Sequence, residues 1–243
     1  MAIRYKLDLE PLILEDILEN HQDIALNIKK KFKPLAYFND YRAYGCYPFF
    51  TEGELGYNLR LNEIINIILD SEVATIYNVD SDKIITIRKL LHFLCDTPPL
   101  ELNIQNLASS AGVSRNTLYS YLCYLKKANL IEIIGGNFKN KKLLNKPDKI
   151  YLDNINLYNI LYSDKNIGSL RESFFVSQIK INHDVKYTNI GDFKIDDKYI
   201  VEIGGKNKSF TQVKDINNSF LVVDDMEVGF GAKIPLWIFG LMY

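Results

Sequence analysis

The chain has 243 residues, 47% of them apolar, with 29 basic side chains against 30 acidic ones and a formal net charge of −1. That length suits one large domain or two to three small ones, and that apolar content excludes a disordered chain. A near-neutral charge excludes a global field for polyanions, so any nucleic-acid signal must be a local patch.

Three cysteines, Cys46, Cys95 and Cys123, are odd in number, far apart and without CxxC spacing. That excludes a disulfide framework and a thiolate zinc site. The amino terminus carries acids inside its apolar part and does not read as a signal peptide. No apolar run approaches the roughly 20 residues of a membrane span. The sequence therefore predicts a cytoplasmic protein with no membrane partner.

In chain order, residues 10–32 read as a helix, with Leu12, Ile13, Ile17, Ile24 and Ile28 near helical spacing. Residues 35–53, LAYFNDYRAYGCYPFFTEG, read as a helix end and an aromatic-packed loop punctuated by Gly45, Pro48 and Gly53. Residues 56–70 are helical, with Leu61, Ile64, Ile65 and Ile68 on one side. Residues 82–96 form another helix through Ile84, Ile87, Leu90, Leu91 and Leu94, and the prolines that follow end it.

From 103 to 134 the pattern changes. A short helix, Ile104–Ala111, ends at Gly112, which can take the left-handed turn, and Ser114 then caps a second helix. Leu118, Tyr121, Leu122 and Leu125 face inward, a strand LIEII follows, and a basic turn leads to a returning strand DKIYLDN. A helix–turn–helix followed by a β-hairpin reads as a winged helix. Residues 154–168 read as a connecting loop. From 169 the order α-β-β-β-α-β, with the short helix over SFTQVKDIN, predicts a small domain with a mixed sheet. The expected fold class is α+β in three segments: a helical region 1–80, a winged helix 81–153, and an α/β domain 154–243.

DNA reading by a helix–turn–helix needs small polar and basic groups at the start of its second helix. Ser114, Arg115, Asn116 and Thr117 suit that role, since Arg pairs with guanine and Asn with adenine. Tyr119 is assigned to the outer face, against the nucleic-acid backbone. On the wing, Lys139, Lys141, Lys142 and Lys146 are assigned to phosphate neutralisation. Between 115 and 149 the only acids are Glu132 and Asp148, a basic patch on a near-neutral chain. A protein-docking module is the competing reading of the same segment.

The run GDFKIDDKYIVEIGGKNK, residues 191–208, carries a second signal. Metal-assisted phosphodiester cleavage needs two carboxylates converging on Mg²⁺ or Mn²⁺, with a lysine beside the attacking water. Asp192 opens one strand and Glu202 closes the next. Position 204, where strand alternation would put the lysine, is glycine, and Lys206 and Lys208 lie beyond. The candidate catalytic set is Asp192, Glu202 and Lys206. The candidate metal ligands are Asp192, Glu202 and Glu172, with Gln212 to orient water. No phosphate-binding P-loop is present, and His21, His92 and His183 are scattered without an assigned role.

The runs NDYRAYGCYPFF, SRNTLYSYLCYLKKANLI, NKPDKIYLDN, GSLRESFF, GDFKIDDKYIVEIGGKNKSFTQ and KIPLWIFGLMY resemble the carboxyl-terminal part of a family of bacterial and archaeal AAA-type ATPases. The resemblance implies a helical lid end, a winged helix and a domain like the PD-(D/E)XK restriction-endonuclease fold, with the ATPase core absent from this chain. It implies Asp192 and Glu202 as the nuclease-like acids, with Gly204 departing from the family lysine.

The leading expectation is a DNA-binding regulatory or effector segment of an AAA-type ATPase whose nuclease-like domain does not cut. One alternative is an active Mg²⁺- or Mn²⁺-dependent nuclease. Another is an interaction module that docks a partner ATPase or a second copy. The sequence leaves enzymatic activity open.

Overall fold

In a computed structural model of the chain, the described residues are 9–96, 103–135, 147–161, 167–211, 213–214 and 216–242. They form an α+β protein with one five-stranded mixed sheet and one small antiparallel pair. Packing divides the chain into two compact units, Met1–Tyr47 with Leu170–Tyr243, and Pro48–Ser169. This division cuts across the expected three segments: the first helices belong with the last strands.

In the first of these units, helix α1 spans Leu14–Lys31 and buries Leu14, Ile17, Leu18, His21, Ala25 and Ile28. Glu15 and Asp16 in its first turn and Lys29, Lys30 and Lys31 in its last complement the helix dipole. The buried stripe is turned from the expected one, since Ile13 is 59% exposed and His21 lies inside. Helix α2, Pro34–Tyr44, is a separate helix over the first part of residues 35–53, where a helix end and then a loop were expected. Pro34 sits at its start, where a missing N–H costs nothing. Its Phe38 is buried, edge-on to Phe174 with centroids 4.8 Å apart.

The five-stranded sheet runs in the order β3 (Val185–Tyr187), β4 (Phe193–Ile195), β5 (Tyr199–Gly204), β6 (Ser219–Val223) and β7 (Lys233–Pro235). Strands β3, β4 and β5 are antiparallel neighbours, whereas β5, β6 and β7 run parallel. The β4–β5 hairpin turns at Asp196 and Asp197, both with left-handed φ, 51° and 56°. That backbone matches the right-handed strand twist, and Asp tolerates it. Helix α9, Ile167–Ile179, leads into the sheet and buries Phe174, Phe175, Val176 and Ile179. The described residues of the short helix expected over 209–217 form turns instead. The chain closes with a 3₁₀ helix, Leu236–Leu241, whose Trp237 donates its indole N–H to the Met226 and Glu227 carbonyls.

In Pro48–Ser169, helix α3 (Tyr57–Ile67) runs through a π-turn, Ile68–Val73, into α4 (Ala74–Tyr77). Tyr57, Leu61, Ile65, Leu69 and Val73 are all buried at four-residue spacing. A strict four-residue repeat drifts around a helix of 3.6 residues per turn, and the wider π-turn holds the later members on the buried face. Helix α5, Ser81–Asp96, buries all five residues expected of it, Ile84, Ile87, Leu90, Leu91 and Leu94. Helix α6 (Ile104–Ser110) and helix α7 (Arg115–Lys127) follow. Then come β1 (Ile131–Ile134) and β2 (Lys149–Leu152), paired antiparallel with Ile131 opposite Leu152. Helix α8, Ile155–Leu161, follows β2. Its fully buried Asn156 accepts a 2.6 Å hydrogen bond from the Tyr57 hydroxyl.

Candidate functional site

The start of α7 is built by its sequence. Asn103 caps α6 by accepting from the Gln105 and Asn106 amides. Gly112 turns the chain with φ of 67°. Ser114 caps α7, its Oγ accepting from the Thr117 amide at 3.1 Å. Leu118, Tyr121, Leu122 and Leu125 are buried as expected. Arg115 and Asn116 are exposed. One placement differs from expectation. Tyr119 is buried, because it follows Leu118 onto the core side of a wide apolar stripe. Lys126 is tied inward, its Nζ 2.9 Å from Glu132 Oε1 on β1. Lys139, Lys141, Lys142 and Lys146 lie outside the described residues, as does Gln212.

The hairpin site sits at the ends of β4 and β5. The ladder ends with Phe193 opposite Val201, and Asp192 lies just beyond it, its amide donating to the Val201 carbonyl at 2.9 Å. The Asp192 carboxylate turns onto the backbone, where its Oδ2 accepts the Ile203 amide at 2.8 Å. Glu202 is 1% exposed. Lys208, not Lys206, reaches it: Nζ lies 2.8 Å from Oε1. The contact is an ion pair by distance, yet among the described residues neither Glu202 oxygen receives a well-directed hydrogen bond. The Glu202 carboxylate holds the Lys208 ammonium above its usual pKa, against the opposing effect of burial. Lys206 is exposed in the turn beyond β5.

Gly204 explains how a lysine six residues on reaches this acid. A Cβ at 204 would collide with the Lys208 stem, so only glycine leaves the floor on which that stem lies. Gly205 plays the same part for a second cation. A Cβ there would stand 3.1 Å from both Nη1 and Nη2 of Arg171.

Sequence reasoning missed the neighbouring charge cluster. Asp224, 2% exposed, follows β6 and donates its amide to the Gly204 carbonyl. Its Oδ1 takes Arg42 Nη2 of α2 at 2.5 Å and its Oδ2 takes Arg171 Nε of α9 at 2.8 Å. Burial pushes the Asp224 carboxyl up, but the two guanidiniums overcome it and hold its pKa below the usual range. Arg42 also lies over the Phe38 ring, 4.2 Å from its centroid. These partners are separated by up to 182 positions, so no local spacing announces them.

In the same unit His21 is 4% exposed, and among the described residues neither ring nitrogen makes a well-directed hydrogen bond. Burial pushes its pKa down, with the Leu18 and Ile17 carbonyls opposing.

Among the described residues, no group of three or more His, Cys, Asp and Glu side chains is gathered to hold a metal ion. Asp192, Glu202 and Glu172 are therefore not preassembled as a three-carboxylate cage. None of the three cysteines is in a disulfide. Among the described residues no helix is long and apolar enough to cross a membrane.

No curated protein and no solved structure matches the chain. One family matches residues 35–167, and its description is "Domain of unknown function (DUF8612)". The match takes in most of α2 and everything from there through α8, which is more than half of the chain. The chain belongs to this DUF8612 family.

Proposed function

We propose that this protein binds duplex DNA through a winged helix built on α5, α6, α7 and the β1–β2 pair. Its carboxyl-terminal unit is a nuclease-like domain that does not cut. The observation that carries the reading is the start of α7: a serine-capped helix presents exposed Arg115 and Asn116 immediately after a glycine turn, with an antiparallel pair following. Helix amides at such a start favour phosphate. The resemblance to the carboxyl-terminal segment of AAA-type ATPases supports a regulatory or effector role beside a partner ATPase.

The order of α9, three antiparallel strands and then parallel β6 supports the nuclease-like reading. Two features argue against cleavage. Asp192 Oδ2 is engaged by a backbone amide, and the Lys208 ammonium already neutralises Glu202. The test is fluorescence anisotropy with labelled duplex. Arg115→Ala should weaken binding, and the Lys141/Lys142 double alanine should also lower the salt slope. Unchanged affinity in both would sink the DNA reading.

The active-nuclease reading is favoured by one observation. Among the described residues, both oxygens of buried Glu202 lack a directed donor, which suits a cation ligand. Mg²⁺ or Mn²⁺ would then be held by Asp192 and Glu202, with Lys208 rather than Lys206 as the third member. Metal-dependent cleavage that Asp192→Ala abolishes would establish it over the non-cutting reading.

A further inference from the structure

We propose that His21 is a pH-sensitive latch: its neutral ring pins the segment 225–233 against α1, and a proton on the ring releases that segment. The device is independent of DNA binding by α7 and of any chemistry at Asp192 and Glu202.

His21 lies on the buried stripe of α1 and is 4% exposed. Its ring fills a slot that Gly229 leaves open. A Cβ at 229 would stand 2.7 Å from His21 Cδ2 and 2.9 Å from Pro235 Cδ, and would collide with the Lys233 carbonyl. The segment turns away from β6 at Asp225 and back towards β7 at Gly231, both with left-handed φ, 57° and 55°. Trp237 steadies its middle by donating to the Met226 and Glu227 carbonyls. Against α1 the segment is held by the packed ring and by the exposed Lys29–Glu227 ion pair. Exposed pairs hold weakly, so the ring is the stronger tie.

The slot suits a neutral imidazole and not an imidazolium. Among the described residues neither ring nitrogen makes a well-directed hydrogen bond. A proton adds a charge and a second N–H donor where burial leaves them unmet. The charged groups of the packed elements are engaged elsewhere. Asp224 takes Arg42 and Arg171, Asp225 lies beside Arg171, and Glu227 pairs with Lys29. Lys233 sets its ammonium 5.4 Å from the Phe230 ring centroid. The rest of β7 and the closing 3₁₀ helix carry no charged residue. On α1 itself, Glu15, Asp16, Glu19, Asp23 and the lysines of the last turn are exposed. Burial therefore governs the ring and lowers its pKa, opposed by the Leu18 and Ile17 carbonyls of its own helix. Once the segment opens, the ring meets water and takes a proton near its ordinary pKa of about 6.5. Opening thus grows as pH falls from there towards the folded pKa, by up to about tenfold per pH unit for one proton.

The experiment is hydrogen exchange of the full chain, resolved to single amides, from about pH 7.5 to about pH 5.5, a range that spans the ordinary histidine pKa. Rates are corrected for the intrinsic pH dependence of exchange. The reporters are the Phe230 and Lys233 amides, each bonded to the other's carbonyl at 3.0 Å. The reference is the Ile200 amide of β5, bonded to the Asn218 carbonyl at 3.0 Å. In wild type, opening at the reporters should rise several-fold as pH falls, while the reference keeps its protection. In His21→Leu that rise should vanish, and His21→Gln serves if the leucine variant does not fold. A merely structural histidine would give no selective rise at the reporters. A flat wild-type profile, a rise shared equally by Ile200, or an undiminished rise in a folded variant overturns the latch. If neither variant folds, the wild-type contrast between reporters and reference carries the test.

Discussion

Lys208 brings its ammonium within 2.8 Å of Glu202 Oε1, and Gly204 is the residue that lets it lie there. The acid is almost fully buried while the lysine is 40% exposed. The pair is therefore asymmetric: removing the lysine strands a charge that removing the acid would not. Lys208→Met should destabilise the fold by about 1–3 kcal/mol, the cost of an unmet buried polar group. Adding Glu202→Gln to it should recover part of that loss. Urea unfolding of the two variants measures both, and equal stability of Lys208→Met and wild type would contradict the account.

Gly204→Ala tests the same geometry without touching charge. The new methyl group meets the Lys208 stem, so the lysine must swing away from Glu202. We expect destabilisation in the same direction as Lys208→Met, and little further loss when the two are combined. Additive losses in a double-mutant cycle would show that glycine and lysine act independently.

Asp224 ties two guanidiniums to the end of β6, one from α2 and one from α9. Asp224→Asn should cost about 3–5 kcal/mol, because both cations lose their buried counter-charge. The carboxyl pKa is lower folded than unfolded. Its contribution is therefore complete above the ordinary aspartate pKa and is lost as pH falls through the folded value. Chemical denaturation from neutral to strongly acid pH should show wild type losing stability faster than Asp224→Asn below about pH 4.

His21 gives a pH dependence of a different origin. Burial lowers its pKa, so the folded state favours the neutral ring. The unfolded chain binds the proton more readily, and stability is complete above about pH 6.5 and falls as pH drops below it. His21→Leu removes two ring nitrogens that make no well-directed hydrogen bond among the described residues on the buried face of α1. We expect that variant to gain stability relative to wild type between about pH 6.5 and 5. Parallel stability curves for the two proteins across that range would contradict it.

Much of the scaffold was legible in the sequence. The buried faces of α5 and α7, the Ser114 cap and the Gly112 turn follow from periodicity and local capping chemistry, which act within one or two helical turns. That α2 is a separate helix, rather than the end of the preceding one, was not legible. Its aromatics are packed by tertiary contacts such as Phe38 against Phe174, and its proline fell at a permitted position rather than a breaking one. The strand pattern placed Asp192 just before β4 and Glu202 within β5, as the structure has them. It misjudged the lysine because Lys208 arrives from outside the strand, where period-two reasoning stops. The adjacent glycines were the available signal, since each marks a place where another side chain comes close. The Asp224 cluster had no sequence signal, as its partners come together only in the folded unit.

The central claim is that Pro48–Ser169 binds duplex DNA through α7. Fluorescence anisotropy of labelled duplex across a salt series, without divalent metal, tests it most directly. The account predicts tighter binding at low salt, a log–log slope of several units, and weakening by Arg115→Ala. Absence of binding at low salt, or an Arg115→Ala curve that overlays wild type, would contradict it and leave α7 as a protein-docking surface.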